Sequence, residues 1–369
     1  MNFDRAVPAF SPPPAVAARA RQGSLKPVVP FAAEPAACRQ PVSPSVSVVI
    51  VNYNYGRYLK KCIESVLGQD YAPLEVIVVD DGSSDDSRAV IKPYAGRLTP
   101  AFQRNGGVIS ATNLGFQRSR GSIVIFVDAD DYLLPGAVAA HAQALRQPGV
   151  VRSQAYMTVL HGTELSKARM PGRCAAEGDL RDMVLERGPG SYVCAPTSAN
   201  AWTREFLQRI FPLPENLRGV AQDCLLMDTA PLFGKTVTLD RRVAVYRMHD
   251  ANASGEVAEV NLENIQKTLM RYEKRCTRLA EIATRLGHSA FLAEWNACNW
   301  RILTLRYLRS RLLRTPEVPR ITEHLKSAFK VRGTPMKKSM VAGIILSIRI
   351  APTRMAVAIA KRAIQLRTM

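Results

Sequence analysis

Two acid-rich stretches carry the chemistry legible in this sequence: Asp80-Asp81-Gly82-Ser83-Ser84-Asp85 and Asp128-Ala129-Asp130-Asp131. Each follows directly on a short apolar run, Leu74 to Val79 in one case and Ile123 to Val127 in the other. Each therefore sits where a buried strand gives way to a loop. Carboxylates gathered at neighbouring strand ends repel one another in a partly desolvated cleft, and a cation is the simplest partner for them. Oxygen ligands suit a hard divalent ion such as Mg²⁺ or Mn²⁺, and an ion on Asp130 or Asp131 would in turn neutralise a diphosphate. The same residues also make ordinary solvated turns and helix caps, for which Asp-Gly-Ser and Asp-Asp are natural choices. The usual phosphate cradles are missing, since no GxGxxG follows the first strand and no GxxxxGK[ST] occurs. That argues against a dinucleotide oxidoreductase and a P-loop NTPase.

The acids need a scaffold, and the flanking sequence supplies one. Val46 to Val51 (VSVVIV) is a continuous β-branched run between Pro44 and Asn52-Tyr53-Asn54, the pattern of a strand buried on both faces. Leu59, Cys62, Ile63, Val66 and Leu67 then recur at helical spacing before the next strand at Leu74. A weaker strand near Ala101, a helix around Ile109 to Arg118 and a strong strand at Ile123 to Val127 continue the alternation. This predicts a parallel sheet with helices on both faces and ligands at the carboxyl ends of its strands. Leu262 to Arg314 reads as helical, with Leu269, Tyr272, Cys276, Leu279 and Ile282 on one stripe, which is the pattern of a packing appendage.

The formal charge of +19 suggests nucleic acid at first, but roughly three quarters of it falls after Trp300, where Glu317 and Glu323 are the only acids. Pro335 to Met369 mixes Lys337, Lys338, Arg349, Arg354, Lys361 and Arg362 with Val341, Ile344, Ile345, Leu346 and Ile348. No uncharged stretch approaches the roughly 20 residues needed to span a bilayer, and Pro352 interrupts the segment. A basic amphipathic tail fits the surface of an anionic membrane; a docked helix and a disordered tail are the other readings. Seven singly scattered cysteines, with no CxxC pair, fit a reducing compartment and argue against structural zinc. Residues 1–44, rich in Pro and Ala and with no signal-peptide pattern, read as a disordered leader.

Taken whole, VSVVIVNYNYGRYLKKCIESVLGQDYAPLEVIVVDDGSSDDS and NGGVISATNLGFQRSRGSIVIFVDADDYLLPG resemble the opening of family 2 glycosyltransferases. The resemblance runs from about Ser45 to Ser254 and extends to VAQDCLLM and YRMHDANAS. It implies an α/β protein of the GT-A type, with a Rossmann-like, mostly parallel sheet and helices on both faces. The expected order is a catalytic domain over 45–255, a C-terminal helical appendage over 256–332 and the basic amphipathic tail over 333–369. It implies a nucleotide-sugar donor, most simply a UDP-sugar, bound with Mn²⁺ or Mg²⁺. Val51, Asn52, Tyr53, Asp80 and Asp81 match positions around the base and ribose. Asn113 matches the segment approaching the nucleotide, although Thr112 stands where relatives often carry Arg. Asp128-Ala129-Asp130 matches the family's DxD motif and Asp131 extends it. The resemblance implies that these acids together hold the donor's ribose and the metal, with Asp128 counted among the donor-binding residues and Asp130 and Asp131 as candidate metal ligands, the carboxylate that touches the ion being left open.

Inverting transfer needs a base across the sugar from the metal. The resemblance points to Asp223, second of the family's Glu-Asp pair, with Gln222 replacing the first acid; a helix N-cap is the alternative for Asp223. His249 either ligates the metal or contacts the diphosphate, or else holds the preceding strand by a hydrogen bond. Trp202 either stacks on a sugar or belongs to the core. The implied acceptor is a glycan or a lipid-linked sugar in bacterial cell-surface or exopolysaccharide synthesis. The implied location is the cytoplasm, at the cytoplasmic face of the membrane, with peripheral contact through residues 335–369 and no nucleic-acid partner. Two competitors differ in class. One is an inactive binding protein of the same fold; the other is a sugar nucleotidyltransferase, which should carry a Gly-rich, Arg-containing loop where this chain has Asn52-Tyr53-Asn54-Tyr55.

Overall fold

The buried runs of the first third of the chain pair in parallel. They form β1 (Val46–Asn52), β2 (Leu74–Asp80), β3 (Thr99–Phe102) and β4 (Ile123–Asp128), in the spatial order β3-β2-β1-β4. Helices α1 (Gly56–Leu67), α2 (Ser87–Ile91) and α3 (Val108–Arg118) fill the connections. Val48 and Ile50 of β1 pack towards Leu59, Cys62, Ile63 and Val66 of α1, while Val49 joins Ile77, Val79, Val124 and Phe126 in the other layer. Both faces are covered, which is why these strands read as continuous apolar runs instead of alternating ones. This computed structural model describes residues 43–365, apart from residues 173, 218, 251, 253–259, 290–294, 296–298, 316–318 and 332–333. The leader expected over 1–44 therefore lies almost entirely outside the described residues.

Chain order reverses at β1, whose neighbours are β2 on one side and β4 on the other. A crevice opens at such a point beyond the carboxyl ends of the strands. Strand register sets Asn52 beside Asp80 and Val51 beside Asp128, so both acid-rich loops leave the sheet at its rim.

Beyond β4 come β5 (Tyr132–Leu133), α4 (Ala137–Ala144), β6 (Val150–His161), β7 (Glu164–Met170) and α5 (Arg181–Arg187). Next are β8 (Asn200–Thr203), α6 (Arg204–Ile210), α7 (Gln222–Thr229) and β9 (Lys235–Met248). The parallel pattern is complete in the β3-β2-β1-β4 half. In the other half β8 runs antiparallel to both β4 and β6, β6 is parallel to β9, and β5 and β7 pair antiparallel with β9 and β6. Trp202 on β8 is 1% exposed and packs on Phe206, so it is a core residue.

The helical segment begins with α8 (Leu262–Arg285), whose buried face includes the expected Leu269, Tyr272, Cys276, Leu279 and Ile282, and continues in α9 (Trp300–Leu313). These side chains join the layer that also holds Val49, Phe126 and Trp202, so the appendage shares the core of the sheet. Residues expected as a basic tail fold, after α10 (Ile321–Phe329), into α11 (Pro335–Ile350) and α12 (Thr353–Gln365), separated at Ala351-Pro352. Ile348, Ala351, Ala356 and Ala360 are buried in the same core, so this segment is docked. Among the described residues, no helix is long and apolar enough to cross a membrane.

One close approach fixes α3 on the sheet. A Cβ added at Gly115 would lie 2.3 Å from Val49 Cγ1. Gly→Ala in a helix interior ordinarily gains up to about 1 kcal/mol, whereas forcing volume into a packed site costs about 1–3 kcal/mol. The steric term wins here. Gly115→Ala is expected to destabilise the fold by about 1–2 kcal/mol, read as a lower denaturant midpoint at unchanged slope.

Candidate active site

At the base of the crevice, Asn52 donates from Nδ2 to Asp80 Oδ1 (2.9 Å) and to Ser83 Oγ (3.1 Å), tying the end of β1 to the turn after β2. Asp80 is fully buried and also faces Arg88, 3.5 Å away. Asp81 accepts from Gln103 Nε2 (2.6 Å) and from the backbone N–H groups of Gly106 (2.8 Å) and Gly107 (2.8 Å). Asn52, Asp80 and Asp81 thus lock the loops that shape the crevice, while Val51 is half-buried and Tyr53 is 46% exposed. Asn113 has a task that the sequence did not reveal. Its amide donates to Leu213 O (2.8 Å) and accepts from Leu213 N–H (2.8 Å), tethering the loop that leads towards α7.

The loop after β4 turns tightly: Asp131 N–H donates to Asp128 O (3.0 Å) and Ala129 N–H to Val51 O (3.2 Å). Ser198 holds it from below, donating to Asp131 Oδ2 (2.7 Å) and accepting from Asp128 N–H (3.1 Å). Asp131 Oδ1 also accepts from Arg247 N–H (3.3 Å), so the buried Asp131 carboxylate bonds to the protein through both oxygens. Asp130 is the acid of this loop that meets His249, with Oδ2 3.1 Å from Nε2. Pairing of Tyr132 with Val245 brings the end of β9, and with it Arg247 and His249, over the loop.

Residues outside the expected set complete this corner. Tyr58 stacks on His249 (4.8 Å between centroids), and Tyr55 meets the same ring edge-on (5.5 Å). Arg247 lies over Tyr58 at 4.5 Å and donates from Nε to Asp130 O (2.9 Å). Asn252 accepts from His249 N–H (2.5 Å) and places Nδ2 3.3 Å from Asp130 Oδ2. Tyr55 and Tyr58 stand in the string NYNYGRY, and Arg247 and Asn252 in YRMHDAN, but nothing in their spacing says that they meet.

Asp223 lies in the first turn of α7, whose N-cap position is Ala221, so it is not the helix cap; its Oδ1 accepts from Cys224 N–H (2.7 Å). Its charge reaches Asp128. Burial first, then the charges of Asp130 and Asp223, push the Asp128 carboxyl up to about 8. Burial, Asp130 and Asp128 hold Asp131 well above the usual carboxylate range. Burial, followed by the charges of Asp130 and Asp128, pushes the Tyr55 hydroxyl up to about 12. The site is therefore short of positive charge, which is the condition a divalent cation relieves. Asp130 Oδ2 and His249 Nε2 offer an oxygen and an imidazole donor side by side, a set that fits Mn²⁺ or Mg²⁺ with diphosphate oxygens and water completing the shell. Among the described residues no three His, Cys, Asp or Glu side chains converge as a closed metal site.

Comparison with known proteins agrees with this architecture. The profile described as Glycosyl transferase family 2 matches residues 47–195. The uncharacterized glycosyltransferase alr2836 of Nostoc sp. is 34% identical over 252 residues, covering 66% of this chain and 77% of its own. The uncharacterized glycosyltransferase EpsJ of Bacillus subtilis is 39% identical over 93 residues, covering 24% of this chain and only 27% of its own. Crystal structures of residues 1–349 of S. aureus TarS, alone and with UDP-GlcNAc, superpose with a TM-score of 0.51 at 17% identity over 88% of this chain and 90% of theirs, a likeness of GT-A fold. With the crevice, its acids and this coverage in hand, the chain belongs to glycosyltransferase family 2 and is a glycosyltransferase.

Proposed function

We propose that the protein transfers a sugar, with inversion, from a nucleoside-diphosphate sugar to a hydroxyl of a glycan or lipid-linked acceptor in bacterial cell-surface or exopolysaccharide synthesis. The observation that carries this reading is the corner where Asp130 and His249 meet beside Asp128, within reach of the charge of Asp223. A UDP-sugar is the donor proposed, and the complex of TarS with UDP-GlcNAc supports a donor of that class. Its base would lie over Val51 and Tyr53, above the turn that Asn52, Asp80 and Asp81 hold, with Asn113 fixing the adjoining loop. Asp128 would bind the ribose. Asp130 and His249 would hold the metal, and Asp131 would keep the loop in position beneath them. When bound, the ion supplies Lewis-acid stabilisation of the departing nucleoside diphosphate. Asp223 would take the proton from the acceptor hydroxyl as it attacks the anomeric carbon. Work on a lipid-linked acceptor would place the enzyme at the cytoplasmic face of an anionic membrane, reached through the basic segment over 335–369.

Release of nucleoside diphosphate from a panel of nucleotide sugars, with acceptor present and with Mn²⁺, Mg²⁺ or EDTA, tests the reading. Turnover of one donor is expected, abolished by EDTA and reduced about 10²-fold or more in Asp130→Asn. His249→Ala is expected to shift the activating Mn²⁺ concentration upward about 10–100-fold. Salt-sensitive nucleic-acid binding without any donor turnover would instead support the inactive binding protein.

A further inference from the structure

The solvent-facing side of α11 carries no charge. Every exposed position between Met336 and Ile350 is uncharged, and Met336 (81% exposed), Met340 (55%), Leu346 (39%) and Ile350 (82%) are separated on that side only by serine and glycine. Their spacing places all four within an arc of about 120° around the helix. Val341, Ile345 and Ile348 form the opposite, buried side, so the exposed stripe is additional to the face that docks α11 on the protein. A helix side open to water ordinarily carries charged residues. Phe329 (62%) and Met355 (56%), on the helices packed against α11, are exposed as well.

The charge carried by α11 and α12 has one sign. No acid follows Glu323 in the remaining 46 residues, which contain ten Lys and Arg. Lys337 and Lys338 are half-buried near the start of α11, and Arg354 and Arg362 are exposed on α12. Two copies meeting through such a surface would bring like charges together, whereas an anionic lipid surface complements it. We propose that α11 is an interfacial helix, lying parallel to an anionic membrane with Met336, Met340, Leu346 and Ile350 in the headgroup–acyl boundary and the surrounding Lys and Arg on the headgroups. The proposal deepens the membrane-surface reading of the transferase and rests on that reading for the purpose of docking. The stripe itself is observed independently of any activity.

The test is cosedimentation of the full chain with phosphatidylglycerol-rich and with phosphatidylcholine vesicles, alongside donor turnover on a soluble acceptor. Binding is expected to the anionic vesicles only and to weaken with salt. Met340→Glu/Ile350→Glu is expected to lower vesicle affinity at least about tenfold with melting temperature and soluble turnover unchanged. Equal binding to both vesicle types, or anionic binding untouched by the double substitution, would overturn the proposal. So would a concentration-dependent dimer that the same substitution dissociates. Where the double variant is damaged, Met336→Ser, at a position 81% exposed, supplies the same comparison. Vesicle binding without turnover would remove the donor and acceptor proposed above and leave this proposal standing, and turnover without vesicle binding would do the reverse.

Discussion

Asp223→Asn is expected to lower kcat for sugar transfer by about 10²–10⁴-fold, the usual contribution of a positioned general base, with the donor's KM changed by no more than a factor of a few. Asparagine keeps the shape of the side chain and its hydrogen bond to Cys224 N–H (2.7 Å), so the start of α7 should be preserved. What it removes is the group that can accept a proton. An effect confined to kcat separates a proton acceptor from a residue that merely binds substrate, whose loss would raise KM. Removing Asp223 also takes away one of the charges that raise Asp128. Donor binding is therefore expected to hold or to tighten slightly in the variant. Steady-state kinetics over a range of donor and acceptor concentrations give both numbers. A variant with native kcat would exclude Asp223 as the base.

How far the sequence revealed this site depended on how local each feature is. β1, β2 and β4 were legible because both of their faces are buried, so the apolar runs Val46–Val51, Leu74–Val79 and Ile123–Val127 needed no partner to be recognised. The acids at their ends followed from the same local signal. β8, by contrast, is four residues long and its antiparallel place between β4 and β6 comes from pairing across long stretches of chain. Ser198 under Asp131, Tyr58 on His249 and Asn113 on Leu213 are contacts between residues 67, 191 and 100 positions apart. No spacing rule reports these. In the C-terminal helices the charge was legible but its surroundings were not. Arg349 donates to Pro319 O and Arg311 to Ala351 O, so part of the basic tail serves internal packing, and only the structure shows which side of α11 remains open.

The largest expected loss of stability is at a pair that joins α7 to α8. Asp228, on the same helix as Asp223, receives Arg275 of α8 through two hydrogen bonds, Nε to Oδ2 and Nη2 to Oδ1, each 2.7 Å. The two side chains are only 4% and 18% exposed, and Asp228 Oδ1 also accepts from Gly190 N–H (3.0 Å). Burial works against the Arg275 charge, and Asp228, with smaller contributions from nearby cysteines, more than offsets it, holding the guanidinium well above its ordinary range. Asp228→Asn retains an acceptor for Gly190 but leaves Arg275 buried without its counter-charge. Breaking one side of such a pair costs about 3–5 kcal/mol, whereas replacing both partners by apolar residues is often nearly neutral. Asp228→Asn should therefore lower the unfolding free energy by about that amount in urea, while Asp228→Leu/Arg275→Met recovers most of it. A loss below about 1 kcal/mol in Asp228→Asn would mean that water reaches the pair and that it behaves as a surface bridge. Because α7 carries both Asp223 and Asp228, the bridge also joins the helix bearing the proposed base to the C-terminal helices. The double variant, stable but without the fixed fork geometry, is expected to show reduced kcat if Arg275 sets the angle of α7, and native kcat if apolar packing alone does so.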